Sequence, residues 1–574
     1  MTAPHRGPGR RFPAWEAAAA LAAVALFART VGFDWVYDDQ MEVARNAFVT
    51  SLAHVPRMFA STVWAGSGME TYLYRPLALV TYAFNYQLSG TSPWSYHLTN
   101  VLLHAGVSVL VVRVGLRWGL STLAAGAAGL LFAVHPVHVE AVAPVFGRKD
   151  LLATLFVLSM ALTHHRATQR GGWRLAAAPL LYLAAMLSKE VGVVGVALVA
   201  AQDAWLHRDL RGYLARRHVP VAYASYLLAA AAFLAARTTV TGGLAIPDTS
   251  TFDNPLVGAP LVTRLATAWM VAGKGVVLHV LPVTQSPDYS FNAIPLAQGF
   301  GDPRTLLAAA FTLVGAGVLA LRSVRGSVAP LAAAWYGVAL LPVANVLLIT
   351  GTLFAERLLY LPSVAFCLAA GAGVGWVSRA HPRVAWGGIV VAVAAFSALT
   401  WRYTSAWTDD VTLFQAAVAA VPASTKAQHK LGEELLRRGE VEGALAALNR
   451  AMEVAPDNAY AAETLAQARS TVAQRYLEGA RGGGPLPDGP ETLYALGAAA
   501  QESGDPTLAI RAVEAAVARD PTLARGWLAL SILRRNRGDG SGADQALRRF
   551  LDTEGGRYPE QARQARALLT GSGG

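Results

Sequence analysis

The sequence predicts an all-α protein in two parts: a polytopic bundle of about eleven membrane-spanning helices, then an α-solenoid of tetratricopeptide repeats. Three observations predict this. Of 574 residues, 54% are hydrophobic and 15% charged, against about 25% charged in a typical soluble domain. The apolar residues fall in successive runs near the 20 or so residues that cross a bilayer. The last third repeats itself.

The leader 1–13 is basic, with Arg6, Arg10 and Arg11, and is expected to be cytoplasmic. The apolar run from Ala14 to Val31 lacks a small-residue cleavage site, so it reads as a retained signal anchor. Further spans are expected near 97–117, 121–138, 149–164, 174–188, 190–206, 219–236, 304–321, 328–350, 357–377 and 383–401. With a cytoplasmic N-terminus, every inside segment is basic, from Arg113 and Arg117 through Arg208, Arg211, Arg216 and Arg217 to Arg379 and Arg383. The apolar stretch 264–283 contains Lys274 and His279; counting it as a span would break that pattern, so it is expected outside, interfacial or re-entrant. The membrane part then covers 14–406, with outer loops 32–96 and 237–303, and 407–574 lies outside the cytoplasm.

Within 407–574, the stretch LGEELLRRGEVEGALAALNRAMEVAPDN carries Leu431, Gly432, Ala444, Ala451 and Pro456, and LGAAAQESGDPTLAIRAVEAAVARDPTL carries Leu496, Gly497, Ala509, Ala516 and Pro521 at matching offsets. A third copy places Trp527, Leu530 and Ala543 in phase, giving the period of about 34 residues of tetratricopeptide repeats. Clear repeats are expected at 425–458, 490–523 and 524–557, and a degenerate one at 459–480 before the linker GARGGGPLPDG. Such arrays present a concave groove, here expected to take a protein or peptide.

A net charge of +11 does not argue for nucleic acid, because the cations lie between apolar runs. The lone Cys367 excludes an intramolecular disulfide and a Cys-based metal site. No P-loop, GxSxG or kinase pattern is present, so nucleotide-sugar and ATP-driven chemistry is poorly supported.

Polar groups instead collect at the outer edge of the spans. The first outer loop holds Asp34, Asp38, Asp39, Trp64, Tyr74 and Arg75; HPVHVEAVAPVFGRKD holds His135, His138, Glu140, Arg148, Lys149 and Asp150; LSKEVG supplies Lys189 and Glu190, SPDYSF supplies Asp288 and Tyr289, and FAERLLYLP supplies Glu356 and Arg357. Singly, Lys189 with Glu190 or Glu356 with Arg357 reads as an interface anchor or bundle ion pair as readily as a functional group, and Asp38–Asp39 as a helix cap. Together on one side, an acid among cations suits transfer from a phosphate-activated donor to a hydroxyl: a carboxylate takes the proton and cations stabilise the departing phosphate. A divalent metal on His135, His138 and Glu140 is not favoured, because the spacing matches no zinc signature and Pro136 interrupts a regular helix. A structural or phosphate-contacting role is preferred for these histidines.

The ordered series FDWVYDD, YRPL, GTSPWSYHLTNVLLH, FAVHPVHVEAVAPVFGRKDLLA, LSKEVG, SPDYSFNAIPL and LPVANVLLITGTLFAERLLYLPS, followed by the repeats, resembles the transmembrane and tetratricopeptide-repeat-containing O-mannosyltransferases. The resemblance implies a GT-C-class glycosyltransferase that moves a sugar, mannose in animal members, from a polyprenyl-phosphate carrier to Ser or Thr hydroxyls of proteins on the outer or lumenal face. It implies Asp38 as general base, with Asp39 second. It implies a donor-phosphate cavity lined by Arg75, His97, His135, His138, Arg148, Lys149, Lys189, Glu356 and Arg357, and sugar or acceptor contacts from Trp64, Tyr74, Asp288 and Tyr289. The lipid-linked sugar is the only cosubstrate implied. Two features depart from animal members: the array is short, and the Ala-, Gly- and Arg-rich style suggests a bacterial inner membrane and an undecaprenyl carrier, where the sugar is mannose or a similar hexose and need not be mannose. The alternatives are a non-enzymatic, membrane-anchored repeat scaffold for envelope or secretion assembly, and a transferase acting on a lipid or glycan.

Overall fold

The computed structural model describes residues 14–243, 250–290, 293–320 and 327–571, and the described residues are helical without strands. The chain divides into two compact units, Met1–Ser290 with Ile294–Leu413, and Phe291–Ala293 with Phe414–Gly574.

In the first unit the helices are apolar around most of their circumference, the pattern of segments bathed by lipid or buried in a bundle. Ala14–Gly32, Trp94–Arg117, His218–Thr241, Leu261–Val280, Glu356–Ala380 and Pro382–Trp407 are long and apolar enough to cross a membrane, and Thr122–Val134 with Pro136–Val142 forms a further pair bent by 51°. The bend falls at His135-Pro136, where proline removes a backbone donor.

Among the described residues the expected count of eleven spans is therefore not reproduced, the expected span 304–321 running to the edge of those residues. Several apolar runs end early: Arg174–Ser188 has 15 residues, Gly195–Leu206 has 12 and Ala329–Leu340 has 12. At about 1.5 Å per residue these reach about 23 Å or less, short of a hydrocarbon core of about 30 Å. Arg148–Arg170 is 23 residues long but begins Arg-Lys-Asp. Conversely, Leu261–Val280, expected to lie at the interface, is one unbroken helix that qualifies as a span.

Two backbone amides of the first loop bond residues near the end of this unit. Asp34 N donates to Thr408 O (3.1 Å) and Tyr37 N to Asp410 Oδ1 (2.6 Å). The chain thus leaves this unit at the same end as the first loop.

The second unit is made of helical hairpins: Thr425–Arg437 with Val441–Val454, Pro490–Glu502 with Pro506–Arg519, and Ala524–Asn536 with Gly540–Thr553. A single long helix, Ala459–Arg481, follows the first hairpin, and Pro559–Gly571 closes the array. Partner helices meet at small residues: a Cβ on Gly432 would lie 2.5 Å from Leu448 Cγ, and one on Gly497 2.5 Å from Val513 Cγ2. Leu445, Leu448, Leu496, Val513 and Leu530 form a continuous core between hairpins. A groove of about 940 Å³ in this unit is lined by Asn449, Glu453, Arg469, Tyr494, Arg525 and Tyr558, among others.

Candidate active site

The stretch VYDDQ makes a tight reversal. Tyr37 adopts φ 53°, a left-handed conformation uncommon for a residue with a side chain. Asp39 N then bonds Val36 O (3.0 Å), while Asp39 Oδ2 accepts from Val36 N (3.2 Å). The same carboxyl reaches the segment 144–147: Oδ2 accepts from Val145 N (3.2 Å) and Oδ1 from Phe146 N (2.5 Å). Asp39 is fully buried, and burial pushes its carboxyl up to about 8 against the pull of these three amides. Its acceptor positions hold two segments together.

Asp38 differs. It is half-buried, its backbone carbonyl accepts from Met41 and Glu42, and its carboxylate makes no hydrogen bond or ion pair among the described residues. The cation that feels its field is Arg357, second only to the field of Glu140.

Below this pair lies a set of ion pairs. Lys149 pairs with Glu42, and Arg357 with Glu140, whose second oxygen also takes Arg357 N (3.0 Å). Lys189 Nζ lies 2.6 Å from Asp150 Oδ1, and Arg75 holds Glu190 Oε2 through Nε (3.1 Å) and Nη2 (3.0 Å). Charges removed from water persist only with partners, so each cation ties its own segment to the one that carries its carboxylate. The turn that presents Arg148, Lys149 and Asp150 requires Gly147, where a Cβ would lie 2.2 Å from Ala141 O. The Phe146 ring is the shared surface: Arg357 lies 5.2 Å and Lys149 5.3 Å from its centroid, with Tyr37 and Trp407 against it at 6.1 and 6.2 Å.

The other expected site residues separate into groups. Arg148 is completely buried: Nε bonds Asn100 Oδ1 (2.9 Å), Nη1 Asn85 Oδ1 (2.5 Å) and Nη2 Tyr96 O (2.7 Å), with Tyr82 under the guanidinium at 4.7 Å. It ties helices together and offers nothing to a phosphate. His135 Nε2 lies 2.9 Å from His279 O and its Nδ1 accepts from Val137 N; His138 Nδ1 lies 2.8 Å from Phe132 O and Nε2 2.7 Å from Ser363 Oγ. Both are fully buried, so their nitrogens stitch the bent helix pair and do not line a phosphate cavity. His97 is equally buried, with Nδ1 2.8 Å from Ala143 O. No group of three metal-ligating side chains occurs among the described residues.

Tyr74 donates to Phe59 O (2.9 Å) and is 1% exposed, which makes it a loop anchor and not a sugar contact. Trp64 is half-buried in the core of the first loop. Glu356 is buried and accepts from Gln285 Nε2 (2.7 Å), Ser286 N (3.0 Å) and Tyr289 Oη (2.7 Å), which docks the SPDY motif beside Arg357. Asp288 accepts from Ser290 Oγ (2.6 Å) within that motif. Sequence reasoning passed over Glu42, Phe146 and Trp407. Glu42 carried a signal, a carboxylate one helical turn beyond Asp38; the two aromatics carried none.

Fold and site define a multi-pass membrane protein whose helical-repeat unit follows a bundle with a carboxylate and a cation at one end. Residues 243–316 match the family model described as "Protein O-mannosyl-transferase TMTC, DUF1736". Over 475 residues the chain is 29% identical to "Protein O-mannosyl-transferase TMTC4" of Homo sapiens, covering 74% of this chain and 64% of that protein. It is 28% identical over 454 residues to "Protein O-mannosyl-transferase TMTC3" of Mus musculus, covering 74% and 49%. With TMTC2 of Homo sapiens identity is 32% over 315 residues, covering 50% and 36%. A solved tetratricopeptide-repeat domain aligns at 13% identity and a TM-score of 0.17 over 73% of this chain and 99% of that one, too low to bear on the fold. The chain is similar to these relatives over half to three quarters of its own length and spans about a third to two thirds of theirs.

Proposed function

We propose that this protein is an integral-membrane glycosyltransferase that moves a hexose from a polyprenyl-phosphate carrier to Ser or Thr hydroxyls of a protein, with inversion, on the extracytoplasmic face. The observation that carries the reading is Asp38: a half-buried carboxylate with no hydrogen bond or ion pair among the described residues, its field reaching Arg357, while Asp39 next to it is spent on three amides. Asp38 takes the acceptor hydroxyl proton as that oxygen bonds the anomeric carbon, the bond from that carbon to the phosphate oxygen breaks, and the electron pair leaves on the polyprenyl phosphate. Arg357, pinned by Glu140 yet 19% exposed, meets the charge that develops there. The pairs Lys149–Glu42, Lys189–Asp150 and Arg75–Glu190 hold the surrounding loops.

The orientation follows from the basic segments upstream of Leu261–Val280, which put the first loop outside irrespective of that helix. The repeats supply a groove for the acceptor chain. The relatives' names point to mannose and a protein acceptor. The deciding experiment gives the purified chain a polyprenyl-phosphate mannose and three acceptors: a Ser/Thr-rich polypeptide, a glycan and a lipid. Preferential labelling of the polypeptide hydroxyls is expected. Labelling of the glycan or lipid alone moves the acceptor class, and an inert chain leaves the repeat scaffold standing.

A further inference from the structure

One wall of the groove in the second unit is its long helix. Where the other repeats place a hairpin, this one gives the single helix Ala459–Arg481, capped by the Asn458 side chain, which accepts from Ala461 N (3.2 Å). Ala462, Ala466, Arg469 and Ala473 recur along one side of that helix at its own period and line the groove, with Ala462 and Ala466 exposed. The cavity of about 940 Å³ has room for a short run of chain. Its charges are three arginines and three glutamates, and most of them are already engaged. Glu453 is taken by Arg450 Nη1 (2.7 Å), by Arg525 Nη1 (2.9 Å) and by Tyr558 Oη, and Glu560 by Arg563. Arg525 spends its other terminal nitrogen on Glu491, and Arg557 bonds the carbonyls of Thr553 (2.8 Å) and Glu554 (3.0 Å). Arg469 differs from both: it is half-buried, its Nε is buried without a partner, and it makes no hydrogen bond or ion pair among the described residues. Arg525 Nε is likewise buried and unpartnered.

Buried N–H groups are as a rule satisfied, and a guanidinium carries five of them in a planar fork that fits a carboxylate. The protein supplies no such carboxylate to Arg469. Because Glu453 and Glu560 are neutralised in place, the charge left uncompensated in the groove is that of Arg469 and Arg557, against a single exposed acid, Glu502. The complement of such a groove is an acidic segment, recognised as arginine clusters recognise acidic motifs. We infer that Arg469 is the contact by which the groove takes an Asp or Glu side chain of the acceptor polypeptide. This rests on reading the groove as the acceptor's seat and adds the chemistry that it selects.

The test uses the full chain in detergent and follows by fluorescence anisotropy the binding of labelled Ser/Thr/Ala peptides that carry two Asp, two Asn or two Lys at the same positions. A charge-assisted contact at a half-buried arginine predicts that the Asp peptide binds at least about fivefold tighter than the other two and that added salt narrows the gap. R469Q reduces the preference to about twofold or less at wild-type Tm, since Arg469 has no partner to lose, and R469K keeps part of it. R535Q, which breaks the Arg535–Asp544 pair outside the groove, leaves it intact. Preference intact in R469Q overturns the assignment to Arg469. Equal or tighter binding of the Asn or Lys peptide by wild type overturns the acidic class, whether or not R469Q folds. A chain that binds none of the peptides and elutes as a dimer gives the groove to a second copy and overturns the proposal. The same peptides are then offered with the sugar donor: transfer without a binding preference leaves the transferase reading standing and the acid contact refuted, and preferential binding without transfer does the reverse.

Discussion

Replacing each of the adjacent carboxylates by its amide separates their roles. The Asp38 carboxylate has no hydrogen-bond partner among the described residues, so D38N leaves folding nearly untouched and removes a proton acceptor. Loss of a general base lowers turnover by about 10²- to 10⁴-fold, or about 3–5 kcal/mol of transition-state stabilisation. Asp39 Oδ1 serves one amide and Oδ2 serves two. An Asn offers one oxygen, so at least one buried amide loses its acceptor, at about 1–3 kcal/mol each. D39N therefore lowers Tm by several degrees, and its activity falls with the folded fraction. The assay is the initial rate of sugar release from the polyprenyl-phosphate hexose, with Tm followed by intrinsic fluorescence on the same samples. A D38N enzyme within threefold of wild type refutes the reasoning. So does a D39N enzyme that melts like wild type yet is inactive, because the roles would then be reversed.

Four further outcomes are expected. Because burial raises the Asp39 carboxyl to about 8, the fold holds its proton at pH values where the unfolded chain has released it; the stability so gained is full below about pH 4 and is lost as pH rises through about 8, a slope that wild-type Tm shows and D39N lacks, and parallel curves would contradict it. K189M strands Asp150 and costs about 3–5 kcal/mol, and K189M/D150L recovers at least half of it, because the pair is structural; if the double variant melts no higher than K189M, Asp150 is not the partner that matters. G147A forces a Cβ against Ala141 O, costs about 1–3 kcal/mol and reduces sugar transfer by displacing Lys149; unchanged Tm and transfer would show that the turn is not tight. H138N, which removes the Nε2 contact to Ser363, lowers Tm without changing the KM for the donor, whereas a raised KM at wild-type Tm would restore this histidine to the phosphate site.

The repeats were legible because each hairpin needs the same small residues at the same contact, so Gly432 recurs as Gly497. The membrane part was legible as apolar runs but not as a count of spans. Hydropathy does not reveal that a helix stops at Ser188 or begins at Gly195, nor that Lys274 fits inside a helix because Tyr289 comes to it from another segment. At the site, residue types followed from pattern and resemblance, whereas individual roles did not. The duties of Asp39 are set by amides 106 and 107 positions away, and Arg148, His135 and His138 were assigned to phosphate because sequence does not display the backbone carbonyls and side-chain amides that occupy them. Asp38 was named by resemblance, and only the fold shows its carboxylate without a hydrogen bond or ion pair among the described residues.

The account turns on where the donor's head lies, and a structure of the full chain bound to a polyprenyl-phosphate hexose measures that directly. The account predicts the anomeric carbon facing the open side of Asp38, with the acceptor oxygen's approach free and the phosphate against Arg357. A headgroup bound away from this end of the first unit, with Asp38 facing only protein, would contradict it.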